Sequence, residues 1–248
     1  MVVGEKDLSV IIPAFNEEKR ISRSVSLLKD YLNTLNIYYE IIIVDDGSKD
    51  ATSEVIKELS LHDPVIRFVR NEKNTGKGFA VKHGMEEAYG RYRVFTDADL
   101  STPAEEIGKV LELLKSGVDV VIGSRRVKGS NIKSPQPFVR KIFSSAFHLV
   151  RRMLLLSDIK DTQCGFKGFS AGAAKEIFSR LTIFGFVFDV EALVIAKSLG
   201  YKIKEMPVTW IDDTRSKITP TKHLRAVASE LMTVRKNLRE GKYNKNNH

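Results

Sequence analysis

Asp97 and Asp99 are the residues of this sequence best suited to hold a metal ion. They follow the run Val94-Phe95-Thr96, and on an extended segment two positions apart both side chains leave on the same side. Two hard carboxylate donors at that spacing suit Mg2+ or Mn2+, with diphosphate oxygens completing the shell. The same acids also read as caps of a helix starting near Thr102, and the D-x-D spacing alone does not separate the two. Three more polar clusters close apolar runs: Pro13-Ala14-Phe15-Asn16-Glu17, Asp45-Asp46-Gly47-Ser48 and Gly123-Ser124-Arg125. Ligands of open α/β sheets bind beyond the C-terminal ends of the strands, so four polar ends on one edge point to one site. Asn74-Thr75-Gly76-Lys77-Gly78 is a glycine-rich turn leading into a helix. Its amides and Lys77 suit a phosphate, and a plain turn fits equally. The spacing excludes a Walker A loop and the dinucleotide fingerprint.

The elements that must position these residues alternate. Apolar β-rich runs at Leu8 to Ile12, Glu40 to Val44, Val65 to Arg70, Arg93 to Thr96 and Val118 to Ile122 read as strands. Amphipathic stretches at Glu17 to Leu35, Thr52 to Leu61 and Gly78 to Tyr89 read as helices, and Thr102-Pro103-Ala104-Glu105 has the form of a capping box that starts another. This alternation predicts an α/β fold: a largely parallel twisted sheet with helices on both faces. Beyond Gly123 the pattern changes. Gly129 to Pro137 is loop-like; Phe138 to Leu156, Ala171 to Arg180, Phe188 to Leu199 and Thr221 to Arg239 are helical; Lys202 to Trp210 is a strand whose Pro207 suits a sheet edge or strand end. One domain over residues 1–248 is expected, with a Rossmann-like half at about 8–125, a second half at about 126–240 and a free polar tail at 241–248.

The formal charge of +9 calls for an anionic partner. Nucleic acid is not expected: no basic strand interleaved with aromatics and no recognition-helix motif occurs, and the acidic strand ends would repel a phosphate backbone. A single cysteine, Cys164, allows no intrachain disulfide and suits a reducing compartment. No apolar stretch reaches the roughly 18–20 residues that span a bilayer. In Phe138 to Leu156, basic Arg140, Lys141, Arg151 and Arg152 alternate with Ile142, Phe143, Phe147 and Met153. Such a segment suits the interface of an anionic membrane, and core packing of its apolar face is the equal alternative.

Six motifs, taken together, resemble an inverting family-2 glycosyltransferase of GT-A fold, specifically the polyprenyl-phosphate sugar synthases. They are IIPAFNEE (Ile11 to Glu18), VDDGSKD (Val44 to Asp50), NTGKGFAVKHGM (Asn74 to Met85), TDADLSTP (Thr96 to Pro103), GSRR (Gly123 to Arg126) and DTQCGFKGF (Asp161 to Phe169). NTGKG with DTQCGFK is the narrower pair and resembles the dolichyl-phosphate β-glucosyltransferases more than the mannosyl enzymes. The resemblance implies a nucleotide-sugar donor, UDP-glucose before GDP-mannose, and a polyprenyl or dolichyl phosphate acceptor. It places the chain on the cytoplasmic face of a membrane, at the surface or with a separate membrane subunit.

By the same resemblance Pro13, Phe15, Glu17, Val44 and Asp46 line the nucleoside site, while Asp97, Ala98 and Asp99 meet the diphosphate and metal. Lys77 and Lys217 join the donor site. Arg125, Arg140 and Ser144 match positions that bind the acceptor phosphate, and two guanidiniums with a hydroxyl suit a phosphate monoester. Asp161 falls near the reacting phosphate as base or orienter, or else caps the turn before Gly165. Two departures stand out. Ser101 replaces a glutamine that contacts the metal in the mannosyl relatives, and Arg215 stands where the glucosyl branch usually has glycine. The rival enzyme reading is a family-2 transferase acting on a hydroxyl acceptor in polysaccharide synthesis, which would need a dedicated base.

Overall fold

A computed structural model describes residues 6–133, 156–211 and 224–244. Arg140, Ser144, Lys217 and most of the basic stretch at 138–156 lie outside these residues. The described strands are β1 (Leu8–Ala14), β2 (Tyr39–Asp45), β3 (Ile66–Arg70), β4 (Tyr92–Thr96), β5 (Val120–Ser124), β6 (Asn131–Ile132), β7 (Phe166–Ser170), β8 (Ile203–Pro207) and β9 (Thr209–Trp210). Helices are α1 (Ile21–Asn33), α2 (Thr52–His62), α3 (Lys77–Glu87), α4 (Glu106–Lys115), α5 (Ala171–Ser179), α6 (Phe188–Ser198) and α7 (Leu224–Arg239).

Seven strands form one sheet in the order β3-β2-β1-β4-β7-β5-β8, and β6 pairs with β9 in a small second sheet. All of the seven run parallel except β7, which is antiparallel to both β4 and β5. The all-apolar strand sequences follow from burial on both faces. Val10, Ile12, Ile41, Ile43 and Val121 pack against α1, α2 and α4, while Ile11, Ile42, Val44, Phe95 and Ile122 pack against α3, α5, α6 and α7. Pro207 closes the edge strand β8, where no further ladder bond is needed.

Four local expectations differ from the structure. The strand β7 (FKGFS) carries a lysine where its alternation calls for an apolar residue, so its sequence shows neither a run nor a period of two. The Lys202 to Trp210 strand breaks after Pro207, and its last residues leave the main sheet to pair with β6. The Thr102 capping box does not form. Thr102 Oγ1 faces Cys164 Sγ at 4.0 Å instead, a turn with Glu106 N donating to Pro103 O at 3.1 Å follows, and the regular helix begins at Glu106. Finally, Tyr243, inside the expected free tail, is buried, and its hydroxyl donates to Glu191 Oε1 at 2.7 Å.

Candidate active site

Because β7 alone is reversed, its N-terminal approach (residues 161–165) arrives at the same sheet edge as the C-terminal ends of β1, β2, β4 and β5. Five polar segments therefore meet there, one more than the sequence indicated. At two of them a non-glycine residue holds a positive φ, Asn16 at 56° and Leu100 at 48°. Backbone held in that region commonly marks functional turns.

At the β2 end, Asp45 and Asp46 divide the work. Asp45 is wholly buried and accepts from Ser48 N at 2.9 Å and from the Ser53 hydroxyl, which closes the turn. Asp46 turns toward the glycine-rich loop. Its Oδ1 accepts from Asn71 Nδ2 at 2.8 Å and Thr75 N at 3.2 Å, and its Oδ2 from Gly76 N at 2.8 Å. Since a carboxylate only accepts, Asn71 must present its NH2 to Asp46 and its carbonyl to His83 Nδ1, 2.7 Å away. His83 therefore donates through Nδ1. Gly47, at φ +70°, allows this packing, because a Cβ there would lie 2.6 Å from the backbone of Lys73. Pro13 and Glu17 are half-buried beside this turn, Phe15 is 40% exposed, and Val44 is a core side chain that only its backbone could offer to a ligand.

At the β4 end the expected extended segment is instead a turn, because Leu100 N donates to Asp97 O at 3.0 Å just past Thr96. Asp97 and Asp99 are half-exposed on this turn, and Ala98 between them is buried. Lys77, the first residue of α3, pairs with Asp97 Oδ1. Asp99 Oδ1 accepts from Ser101 N at 2.9 Å, so Ser101 supports the carboxylate through its backbone. Burial, and then the neighbouring charge of Asp97, push the Asp99 carboxyl above its ordinary range. For Lys77, burial works against the charged form, but Asp97 and Asp189 outweigh it and hold the ammonium charged. Two facing carboxylates with hard oxygens fit a divalent cation, which would relieve their repulsion. Among the described residues no group of three or more His, Cys, Asp or Glu is placed to hold a metal ion.

Gly165 is the counterpart of Asp97. A Cβ at Gly165 would overlap the Asp97 carboxylate, leaving room only for hydrogen. Gly165→Ala is expected to displace Asp97 and lower turnover about 10²-fold with little change in unfolding midpoint, as steady-state kinetics and thermal melts would measure. Cys164, next to it, is no nucleophile: burial pushes its thiol up to about 11.

At the β5 end, Arg125 and Asp161 form a bidentate pair, Nε to Oδ2 at 2.7 Å and Nη2 to Oδ1 at 2.9 Å. The Arg125 backbone N–H also donates to Asp161 Oδ2 at 3.0 Å. Asp161 is wholly buried, and its own backbone N–H, like that of Lys160, donates to Glu205 at 2.9 Å. The guanidinium sits 5.5 Å from the ring centre of Trp210. Thus the structure brings together Pro13, Phe15, Glu17, Asp46, Lys77, Asp97, Asp99, Arg125 and Asp161 at one edge. Sequence reasoning missed Asn71, His83, Gly165, Lys167, Asp189 and Glu205. His83, Gly165 and Lys167 lay in motifs already singled out, and the others carry no local signal.

Comparison with known proteins gives a consistent result. A profile described as Glycosyl transferase family 2 matches residues 9–178. The chain is 36% identical over 243 residues to the dolichyl-phosphate β-glucosyltransferase of Dictyostelium discoideum, covering 92% of this chain and 73% of that protein. Identity to the human dolichyl-phosphate β-glucosyltransferase is 32% over 243 residues, 93% of this chain and 75% of that one. A dolichol-phosphate mannosyltransferase of Pyrococcus furiosus is 38% identical over 205 residues, 82% of this chain and 56% of that protein. Among solved structures, glucosyl-3-phosphoglycerate synthase of Mycobacterium tuberculosis with UDP matches at TM-score 0.67 and 20% identity, covering 93% and 80% of the two chains. The same enzyme with Mn2+, UDP-glucose and phosphoglyceric acid matches at TM-score 0.67 and 19% identity, again over 93% and 80%. At such identities the likeness concerns the fold.

Proposed function

The chain belongs to glycosyl transferase family 2 and has a GT-A fold, and from that premise we propose that it transfers glucose from UDP-glucose to a polyprenyl or dolichyl phosphate, with inversion. One observation carries this reading. The five residues Asp161 to Gly165 touch both halves of the site, Asp161 through Arg125 and Gly165 through Asp97. A seat for a diphosphate and a guanidinium suited to a phosphate therefore lie on flanking strand ends of one sheet. The names of the glucosyl relatives support glucose as the sugar and a dolichyl phosphate as the acceptor; the mannosyl relative keeps mannose, with GDP-mannose as donor, as the second reading.

In the proposed reaction an acceptor phosphate oxygen forms a bond to the anomeric carbon as the bond from that carbon to the donor's β-phosphate oxygen breaks. The nucleoside diphosphate leaves with the electron pair. A phosphate is already anionic at neutral pH, so no strong base is needed. Asp161 accordingly serves to orient Arg125, with Arg140 and Ser144 assigned to the same phosphate. Asp46, its loop and Pro13, Phe15, Glu17 and Val44 form the nucleoside side; Lys77 and Lys217 face the diphosphate. Asp97 and Asp99 would hold Mg2+ or Mn2+, which would neutralise charge developing on the leaving diphosphate. Mn2+ in the mycobacterial fold neighbour agrees with this assignment.

No helix among the described residues is long and apolar enough to cross a membrane. We assign the chain to the cytoplasmic face of a membrane, held peripherally or by a membrane subunit. Residues from about 8–125 form most of the donor half and about 126–240 most of the acceptor half, with Arg125 and Lys217 reaching across. The test is a panel of labelled nucleotide-sugars with dolichyl phosphate, with and without Mn2+. Metal-dependent transfer from UDP-glucose is expected. Transfer only from GDP-mannose would move the chain to the second reading, and transfer only to free sugars would overturn the lipid-phosphate acceptor.

A further inference from the structure

Lys167 is wholly buried at the centre of the main sheet, in register between Phe95 of β4 and Ile122 of β5. Its ammonium donates to Cys164 O at 2.7 Å and pairs with Asp189, in the first turn of α6. A buried ion pair rarely stabilises more than well-packed apolar residues would, so stability does not account for it. Position offers a better reason. Lys167 and Phe95 point to the same face of the sheet, and Asp97, two residues beyond Phe95, leaves on that face as well. Lys77 meets Asp97 there, with its ammonium 6.0 Å from the Phe95 ring centre, while that of Lys167 lies 5.3 Å from the same ring. The first turns of α3 and α6 are locked together, since a Cβ on Gly78 would lie 2.6 Å from Phe188 Cβ. The Asp189 carboxylate acts on both ammonium groups.

We propose that Asp189, anchored by Lys167, is a positioning residue that keeps the Lys77 ammonium in the donor site when Asp97 is engaged by a cation, so that Lys77 meets the donor diphosphate. The inference rests on the donor reading given above. With Asp97 as its only anchor, a half-exposed lysine would be released to solvent whenever a divalent ion took that carboxylate, and each return would cost rotamer entropy. Asp189, 6% exposed, is an anchor that solvent ions do not reach.

The test is NMR-monitored titration of UDP and of uridine, in the presence of diamagnetic Mg2+, into wild type, Asp189→Asn, Lys77→Met and the double variant. Asp189→Asn and Lys77→Met are each expected to weaken UDP about tenfold and leave uridine unchanged, and the double variant to be no weaker than Lys77→Met. Lys167→Met/Asp189→Leu removes both buried charges together, keeps the fold by its melting curve, and is expected to show the same selective loss of UDP. Wild-type UDP affinity in Asp189→Asn or in Lys167→Met/Asp189→Leu, equal losses for uridine and UDP, or additive losses in the double variant overturn the inference alone. A wild-type chain that binds UDP no better than uridine overturns the donor reading and the inference together.

Discussion

Asp99→Asn is expected to lower kcat about 10²–10³-fold while leaving the chain at least as stable as wild type. The two effects have one cause. Burial and the charge of Asp97 raise the Asp99 carboxyl above its ordinary value of 3.8. A group raised in the folded state binds its proton more tightly there than in the unfolded chain. Its contribution to stability is therefore complete below 3.8 and is lost as the pH rises through the folded value. At neutral pH the ionised carboxylate is a standing cost that a divalent cation would offset. Asparagine removes the charge yet still accepts from Ser101 N, now at 2.9 Å from Asp99 Oδ1. Thermal melts without metal at pH 7 should show an unchanged or higher midpoint, and the wild-type advantage on adding Mn2+ should vanish. Undiminished turnover in this variant would remove the carboxylate pair from the mechanism.

Asp161→Ala is expected to cost about 3–5 kcal/mol of folding stability, the largest loss from any single polar substitution at this edge. Asp161 is wholly buried and receives two guanidinium N–H groups and the backbone N–H of Arg125 and of Gln163. Removing it strands a guanidinium that is itself largely buried beside the Trp210 ring. Arg125→Ala should cost less, because the N–H groups of Arg125 and Gln163, at 3.0 and 3.3 Å, still serve the carboxylate. Arg125→Lys keeps the charge but loses the bidentate geometry, and should fall between wild type and Arg125→Ala. Urea denaturation of the variants measures this order. Asp161→Ala within 1 kcal/mol of wild type would show that the pair is not the anchor its geometry indicates.

The α/β architecture and the sheet edge of the proposed donor site are legible in the sequence because both depend on local rules. All-apolar runs such as EIIIV can be satisfied only by burial on both faces of a sheet, and parallel order then brings every strand's C-terminal end to one edge. Asp97 and Asp99 are legible by residue type and by their place after an apolar run, although a turn closed by Leu100 N to Asp97 O, and not the two-residue period of extended chain, sets their geometry. The motifs added a family to this frame, and the profile over residues 9–178 agrees with it.

What the sequence does not contain is the direction and neighbours of β7. Its lysine and glycine cancel the polarity signal, because Lys167 is buried by Asp189, 22 residues away, and Gly168 is required by Val110 of α4. Reversal of this one strand delivers Asp161 and Gly165 to the site edge. It decides that Asp161 holds Arg125 and that Asp97 rests against Gly165. The same holds for Asn71 and His83, which become part of the site only because Asp46 folds back on residues 75 and 76. The sequence by itself therefore determined the chain's fold class and its family, and it singled out the carboxylates of the proposed donor site. Tertiary structure alone decided which charges face one another, because electrostatic partners are chosen by distance in space, and here those distances are set by one antiparallel strand inside a parallel sheet.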